Sequence, residues 1–261
     1  MTSERRGITS GRALSGCSAV LTDAAVMVDR FCASRAGRAA ALLSTLFVGA
    51  ALIAHHAGAG TAVDHAVWGW MVHHRTPALT WWATAVTEVG SPVGVGVLAL
   101  VASVVLWRRF GSPWPAVVVM ATVAAAGAMS TAVKVIVGAH RPPQGLQLIL
   151  ETDPSFPSGH VTGTVALLGA LSVVGGYHAG AGARRRWIAV TVAGTAAVAV
   201  TRLYLGVHWV SDVLGGVLLG ALAAVLAGVL YRRLERSVGA DIVPAASSTS
   251  GPIPTVGASP E

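Results

Sequence analysis

The sequence predicts an all-α membrane protein, a bundle of six transmembrane helices, and three observations predict it. The 261 residues are 54% hydrophobic and only 11% charged, against about 25% charged residues in a soluble domain. Long apolar runs nearly free of charge recur along the chain. The basic residues gather in short clusters beside those runs, a pattern that sets membrane topology. The formal net charge of +7 is therefore read as a topology signal, and no nucleic-acid partner is expected.

Spanning helices need about 20 apolar residues each. Segments of that character run over residues 39–57, 91–107, 115–137, 161–178, 187–206 and 210–231. The first has no small-residue cleavage site at its end, so it is read as a retained anchor. Residues 58–90 are mixed, and TPALTWWATAV (77–87) reads as a helix lying at the interface, with Trp81 and Trp82 at headgroup level. Gly216, Gly220, Ala224 and Gly228 form a stripe of small residues on span six, read as a helix-packing seam.

Orientation follows from the arginines. Arg30, Arg35 and Arg38 precede span one, and Arg108 and Arg109 follow span two. Arg184, Arg185 and Arg186 separate spans four and five, and Arg232, Arg233 and Arg236 follow span six. Six spans place all four clusters on one face, the cytoplasmic one by the positive-inside rule, with both termini inside. Residues 1–38 read as a poorly ordered cytoplasmic tail, 39–236 as the six-span domain, and 237–261, rich in Ser, Pro and Gly, as a disordered cytoplasmic tail. Cys17 and Cys32 both precede the first span and read as incidental.

Lys134, the single lysine, together with Arg141 and Arg202, opposes this topology signal. All three fall at the outer ends of spans three and five or in the loop after span three. Ionisable groups there usually face a cavity rather than lipid. The outer face also collects three polar segments: KVIVGAHRPP (134–143), FPSGHVTG (156–163) and TRLYLGVHWVSD (201–212). Two arginines and a lysine converging on one spot suit a phosphate, which arginine forks grip in pairs and lysine holds as a point charge. Ser158 is placed to cap span four, and the amides of Gly159 and His160 at a helix N-terminus attract anions. Gly159 also lets the backbone come close to a ligand.

His208 and Asp212 are four residues apart, on one face if the start of span six is helical. A carboxylate bonded to one imidazole nitrogen fixes the tautomer and leaves the other free to attack. His160, in the facing segment, is placed to protonate a leaving oxygen. Taken singly, each residue also has an ordinary role: Arg202 as an interfacial anchor, Asp212 and Ser158 as helix caps, either histidine as a hydrogen-bonded side chain. The shared face is what favours a common site. Glu151 and Asp153 read as solvated loop charges, with contact to a leaving group or cation the lesser reading, and His140 as part of the pocket rim. LQLIL (146–150) either touches a lipid chain or packs on the bundle. The pairs His55–His56 and His73–His74 lack the spacing of a metal site, and no metal or other cofactor is expected.

These motifs, Lys134-x6-Arg141-Pro142, Pro157-Ser158-Gly159-His160 and Arg202-x5-His208-x3-Asp212, resemble the three-part signature of the type 2 phosphatidic acid phosphatase superfamily. Its members include lipid phosphate phosphatases, polyprenyl diphosphatases, soluble acid phosphatases and vanadium haloperoxidases. The resemblance implies a six-span bundle with the active site at the extracytoplasmic ends of spans three to six, in the plasma membrane of a bacterium. It implies His208 as nucleophile through a phosphohistidine, Asp212 as its partner and His160 as general acid. Lys134, Arg141, Ser158, Gly159 and Arg202 would hold the phosphate, without a metal. Thr201 departs from the pattern, standing where many members carry serine. The implied substrate is a lipid phosphate or diphosphate drawn from the bilayer: polyprenyl diphosphate, phosphatidic acid or phosphatidylglycerol phosphate. A phosphotransferase using the same phosphohistidine, or a bundle that binds or transports an anionic lipid without cleaving it, are the competing readings. Nothing in the sequence marks an oligomeric state.

Overall fold

The computed structural model describes residues 31–242 apart from 32 and 178, with side chains as far as residue 237. The expectations placed on residues 1–30 and 243–261, and on Cys17 and Cys32, lie outside the described residues. Eight α-helices make up the described chain: α1 (Arg35–Ala57), α2 (Ala62–His73), α3 (Pro77–Val89), α4 (Pro92–Phe110), α5 (Trp114–Val137), α6 (Gly159–Tyr177), α7 (Ala181–Tyr204) and α8 (Val210–Ile242). A short 3-10 turn (Gln144–Leu146) sits in the loop before α6. Six of the helices, α1 and α4 to α8, are long and apolar enough to cross a membrane, as the sequence predicts. The first begins at Arg35 and the last runs to Ile242, both beyond the expected domain limits.

The mixed segment resolves into two shorter helices, each with a clear local cause. Thr61 and Asp64 form a reciprocal capping box at the start of α2, and Thr76 with Pro77 opens α3. Trp81 is 75% exposed on α3, as an interfacial anchor would be.

Helix α6 is the axis of the bundle, packed on α4, α5, α7 and α8. It is apolar on all sides, which is the pattern of a helix surrounded by protein. The largest buried cluster joins Val95 and Ala99 of α4, Val118 and Val119 of α5, Leu167, Ala170 and Val174 of α6, and Ala227 and Tyr231 of α8. The small-residue stripe of span six is the seam against α6. A Cβ on Gly216 would stand 2.8 Å from the Ser158 carbonyl oxygen, and one on Gly220 would stand 2.8 Å from that of Thr162. Only glycine allows this approach, which brings PSGH against the start of α8, where the Ser158 amide donates to the Asp212 carbonyl at 3.0 Å.

One end of the bundle therefore holds the C-termini of α1, α5 and α7 and the N-termini of α6 and α8. Helices α2 and α3 brace the same end. Asp64 accepts from the Ser211 amide and hydroxyl, Thr76 bonds to the Tyr204 hydroxyl, and Arg75 donates to the carbonyls of Tyr204 and Leu146. The turn they secure, between α7 and α8, passes through Gly206 at φ 76°, a backbone state that favours glycine.

Candidate active site

The three polar segments expected to meet do meet at this end of the bundle. His208 lies on the turn before α8 and Asp212 on its first turn, with His208 Nδ1 3.1 Å from Asp212 Oδ2. The same carboxylate oxygen accepts from the Trp209 amide at 2.8 Å and from the Ser155 hydroxyl in a short hydrogen bond. Arg141 Nη1 stands 3.2 Å from His208 Nε2. A guanidinium only donates, so Nε2 is the acceptor and Nδ1 carries the proton toward Asp212. Burial, reinforced by the positive charges of Arg141, Arg202 and Lys134, pushes the His208 pKa well below its ordinary value. The imidazole is thus neutral, and its contact with Asp212 is a hydrogen bond rather than an ion pair.

Arg202 is completely buried at the end of α7. Burying a guanidinium is costly unless its donors are taken. Its Nη1 donates to Thr87 Oγ1 at 2.8 Å and lies 3.3 Å from His160 Nε2, and its Nη2 pairs with Glu151. Arg141 is anchored by the carbonyls of Val207 and Asp153, both at 2.7 Å. Lys134, at the end of α5, reaches the carbonyl of Pro154 and sits 3.0 Å from Asp153.

A cavity of about 600 Å³ opens on this cluster. Lys134, Arg141, His160 and His208 line its polar end. From there it runs between α4, α5 and α6, past Val95, Gly127 and Val123. Along α5 the lining extends from Lys134 to Val123, about 16 Å at 1.5 Å per residue. A histidine nitrogen with a free lone pair, cations around it and an apolar channel leading away make a site that can receive an anionic head on an apolar tail.

Of the residues singled out in the sequence, Lys134, Arg141, His160, Arg202, His208 and Asp212 converge, and Gly159 lines the cavity. Ser158 is buried, and its hydroxyl has no hydrogen-bond partner among the described residues, so it does not close the α6 cap. The Thr201 hydroxyl donates to the Val198 carbonyl within its own helix at 2.7 Å. The largest difference concerns Glu151 and Asp153. Instead of standing free in solvent, they pair with Lys134, Arg141 and Arg202. Burial alone would raise the Asp153 pKa, but the Lys134 and Arg141 charges outweigh it and hold the carboxyl below its usual range.

Ser155, Thr87 and Arg75 were not legible in advance. Each is a common polar residue with no motif spacing, and each acquires its partner across a long sequence separation. In the 146–150 run, Ile149 packs on Tyr204, Leu205 and Val207 while Leu150 is exposed. His140 contributes its carbonyl to Trp209 Nε1 at 2.8 Å. Among the described residues no group of three or more His, Cys, Asp and Glu is placed to hold a metal.

Comparison with known proteins bears on this arrangement. Residues 114–236 match the family model of the PAP2 superfamily. The chain is 35% identical over 82 residues to Escherichia coli (strain K12) YbjG, provisionally named an undecaprenyl-diphosphatase, covering 31% of this chain and 37% of that protein. It is 33% identical over 96 residues to phosphatidylglycerophosphatase B of Bacillus subtilis (strain 168), covering 36% and 47%. The matched stretches thus span less than half the length of either relative. In fold, the chain resembles the crystal structure of a transmembrane PAP2-type phosphatidylglycerolphosphate phosphatase from Bacillus subtilis, with TM-score 0.64, 22% identity, and 76% of this chain and 96% of that one covered. Aquifex aeolicus LpxE is a more distant likeness, with TM-score 0.50, 18% identity and coverage of 64% and 95%. The three motifs that meet in one pocket all lie within the stretch that matches the PAP2 superfamily model, and the chain has the fold of a transmembrane PAP2-type phosphatase.

Proposed function

We propose that this chain is an integral membrane phosphatase that removes phosphate from a lipid phosphate or diphosphate. The observation that carries the reading is the His208–Asp212 pair facing a cation-lined cavity whose other end is apolar. Binding alone does not require a neutral imidazole aimed by a buried carboxylate; attack on phosphorus does. The names of the relatives, undecaprenyl-diphosphatase and phosphatidylglycerophosphatase, support the same substrate class.

In the proposed sequence, His208 Nε2 attacks phosphorus and the bond from phosphorus to the leaving oxygen breaks. His160 gives that oxygen a proton, and Asp212 stabilises the charge that grows on the His208 ring. Lys134, Arg141, Arg202 and the amides of Gly159 and His160 bear on the equatorial oxygens as charge develops. Water, deprotonated by His160, then cleaves the nitrogen–phosphorus bond, which releases phosphate and restores the histidine. No metal enters these steps. The phosphorylated head sits among the cations while its chain follows the channel along α5. The arginine clusters support a reading with the other end of the bundle in the cytoplasm and this site on the outer side of a bacterial plasma membrane. A compact chain with an outward site suits polyprenyl diphosphate best among the candidate lipids.

The test is phosphate release by detergent-purified protein in EDTA, with undecaprenyl diphosphate, phosphatidic acid and phosphatidylglycerol phosphate offered separately. Release that disappears in His208→Ala supports the reading, and the fastest lipid names the substrate. If phosphate moves to an added alcohol and none is released, the chain is a phosphotransferase. Binding of these lipids with neither product would reduce the site to a binding bundle.

A further inference from the structure

The cations assigned to the phosphate already have anionic partners. Asp153 reaches Lys134 at 3.0 Å and Arg141 at 2.6 Å, while Glu151 pairs with Arg202 and lies 3.6 Å from Arg141. Two carboxylates therefore bridge three cations, with Arg141 shared between them, much as the oxygens of one phosphoryl group would. Both line the same cavity as His160 and His208.

Three positive and two negative charges leave the cluster at +1, little attraction for a dianion. A phosphate entering beside the carboxylates would face both of them at close range, where like charges in a poorly solvated site repel strongly. Retraction is open to the side chains. Asp153 is half exposed, and the loop carrying both residues has no helix between Leu146 and Gly159. The loop backbone is tethered independently of the carboxylates, because Arg141 Nε holds the Asp153 carbonyl at 2.7 Å and Lys134 holds that of Pro154. The acids can swing out while the loop stays in place.

We propose that Glu151 and Asp153 are built-in competitors of the phosphoryl group, occupying Lys134, Arg141 and Arg202 in the empty site and yielding them when phosphate binds. This rests on reading the pocket as a phosphate site. The two acids then set how tightly the headgroup is held and how readily product phosphate leaves. A site that is competent only when they are retracted binds with its intrinsic affinity reduced by that fraction.

Inorganic phosphate is the probe, titrated against the full chain in detergent and read as a rise in melting temperature, which needs no turnover. The double variant Glu151→Gln, Asp153→Asn is expected to bind phosphate about tenfold more tightly than the wild type, with each single variant in between. In turnover of a lipid phosphate, KM and the inhibition constant of phosphate are expected to fall together. Equal or weaker phosphate binding by folded variants overturns the proposal, since the acids then orient the cations rather than compete for them. The single variants carry the test if the double one does not fold. Wild-type protein that binds phosphate but cleaves no lipid phosphate refutes the proposed activity alone; absence of phosphate binding in wild type and variants refutes both.

Discussion

Ser155 and His208 share one carboxylate oxygen: the Ser155 hydroxyl donates to Asp212 Oδ2, and His208 Nδ1 lies 3.1 Å from the same atom. The serine comes from the loop before α6 and the histidine from the turn before α8. The orientation of the dyad is therefore a property of two chain segments brought together, and the variants below separate their contributions.

Replacing the dyad tests the chemistry directly. His208→Ala is expected to remove turnover by at least about a thousandfold, the scale of losing a nucleophile. Asp212→Asn keeps the shape but loses the charge that fixes the tautomer, and a loss on the order of 10³ to 10⁴ in kcat is expected. Acid-labile protein-bound phosphate, trapped by rapid quench of the wild type with a labelled lipid, should be absent from His208→Ala.

Ser155→Ala removes one of the three donors on Asp212 Oδ2. As a positioning residue, Ser155 should affect kcat and leave KM nearly unchanged, with kcat lower by about ten- to a hundredfold and stability lower by about 1–3 kcal/mol. Kinetics together with a melting curve in detergent check both parts. An increase in KM with kcat intact would place Ser155 in substrate binding instead.

Protonation of His208 should be detectable in both stability and spectrum. Its pKa is depressed in the fold by burial and by neighbouring cations, whereas the unfolded chain binds a proton at about pH 6.5. Below that pH the unfolded state takes up a proton that the native state refuses. Stability is therefore full above about pH 6.5 and declines as pH falls, by up to about 1.4 kcal/mol per pH unit. The NMR signal of labelled His208, identified by its loss in His208→Gln, should stay that of a neutral ring at pH 6.

The α6–α8 seam makes a packing prediction. Gly220→Val would force side-chain atoms against the Thr162 carbonyl and Val165, an overpacking cost of about 1–3 kcal/mol or more. Because this seam also sets Ser158 against Asp212, activity and melting temperature should fall together. Gly49→Ala on α1, where a Cβ meets nothing within 4 Å, should be neutral or slightly stabilising, since alanine favours helix over glycine.

Much of this architecture follows from local properties of the sequence. Length and apolarity alone mark the six spans, and the arginine clusters oppose Lys134, Arg141 and Arg202 along the chain. The four-residue spacing of His208 and Asp212 anticipates their contact, although the helix begins only at Val210 and His208 meets Asp212 from the turn before it rather than from one helical face. Tertiary structure decided the rest. Glu151 and Asp153 look like ordinary loop charges until folding brings α5 and α7 beside their loop; Ser155 and Thr87 look like ordinary hydroxyls until Asp212 and Arg202 are buried against them. Spacing carries information only over a turn or two of helix. The partners of a buried charge are chosen by whichever distant segment the packing delivers, and here that choice depends on glycines that let α6 and α8 touch.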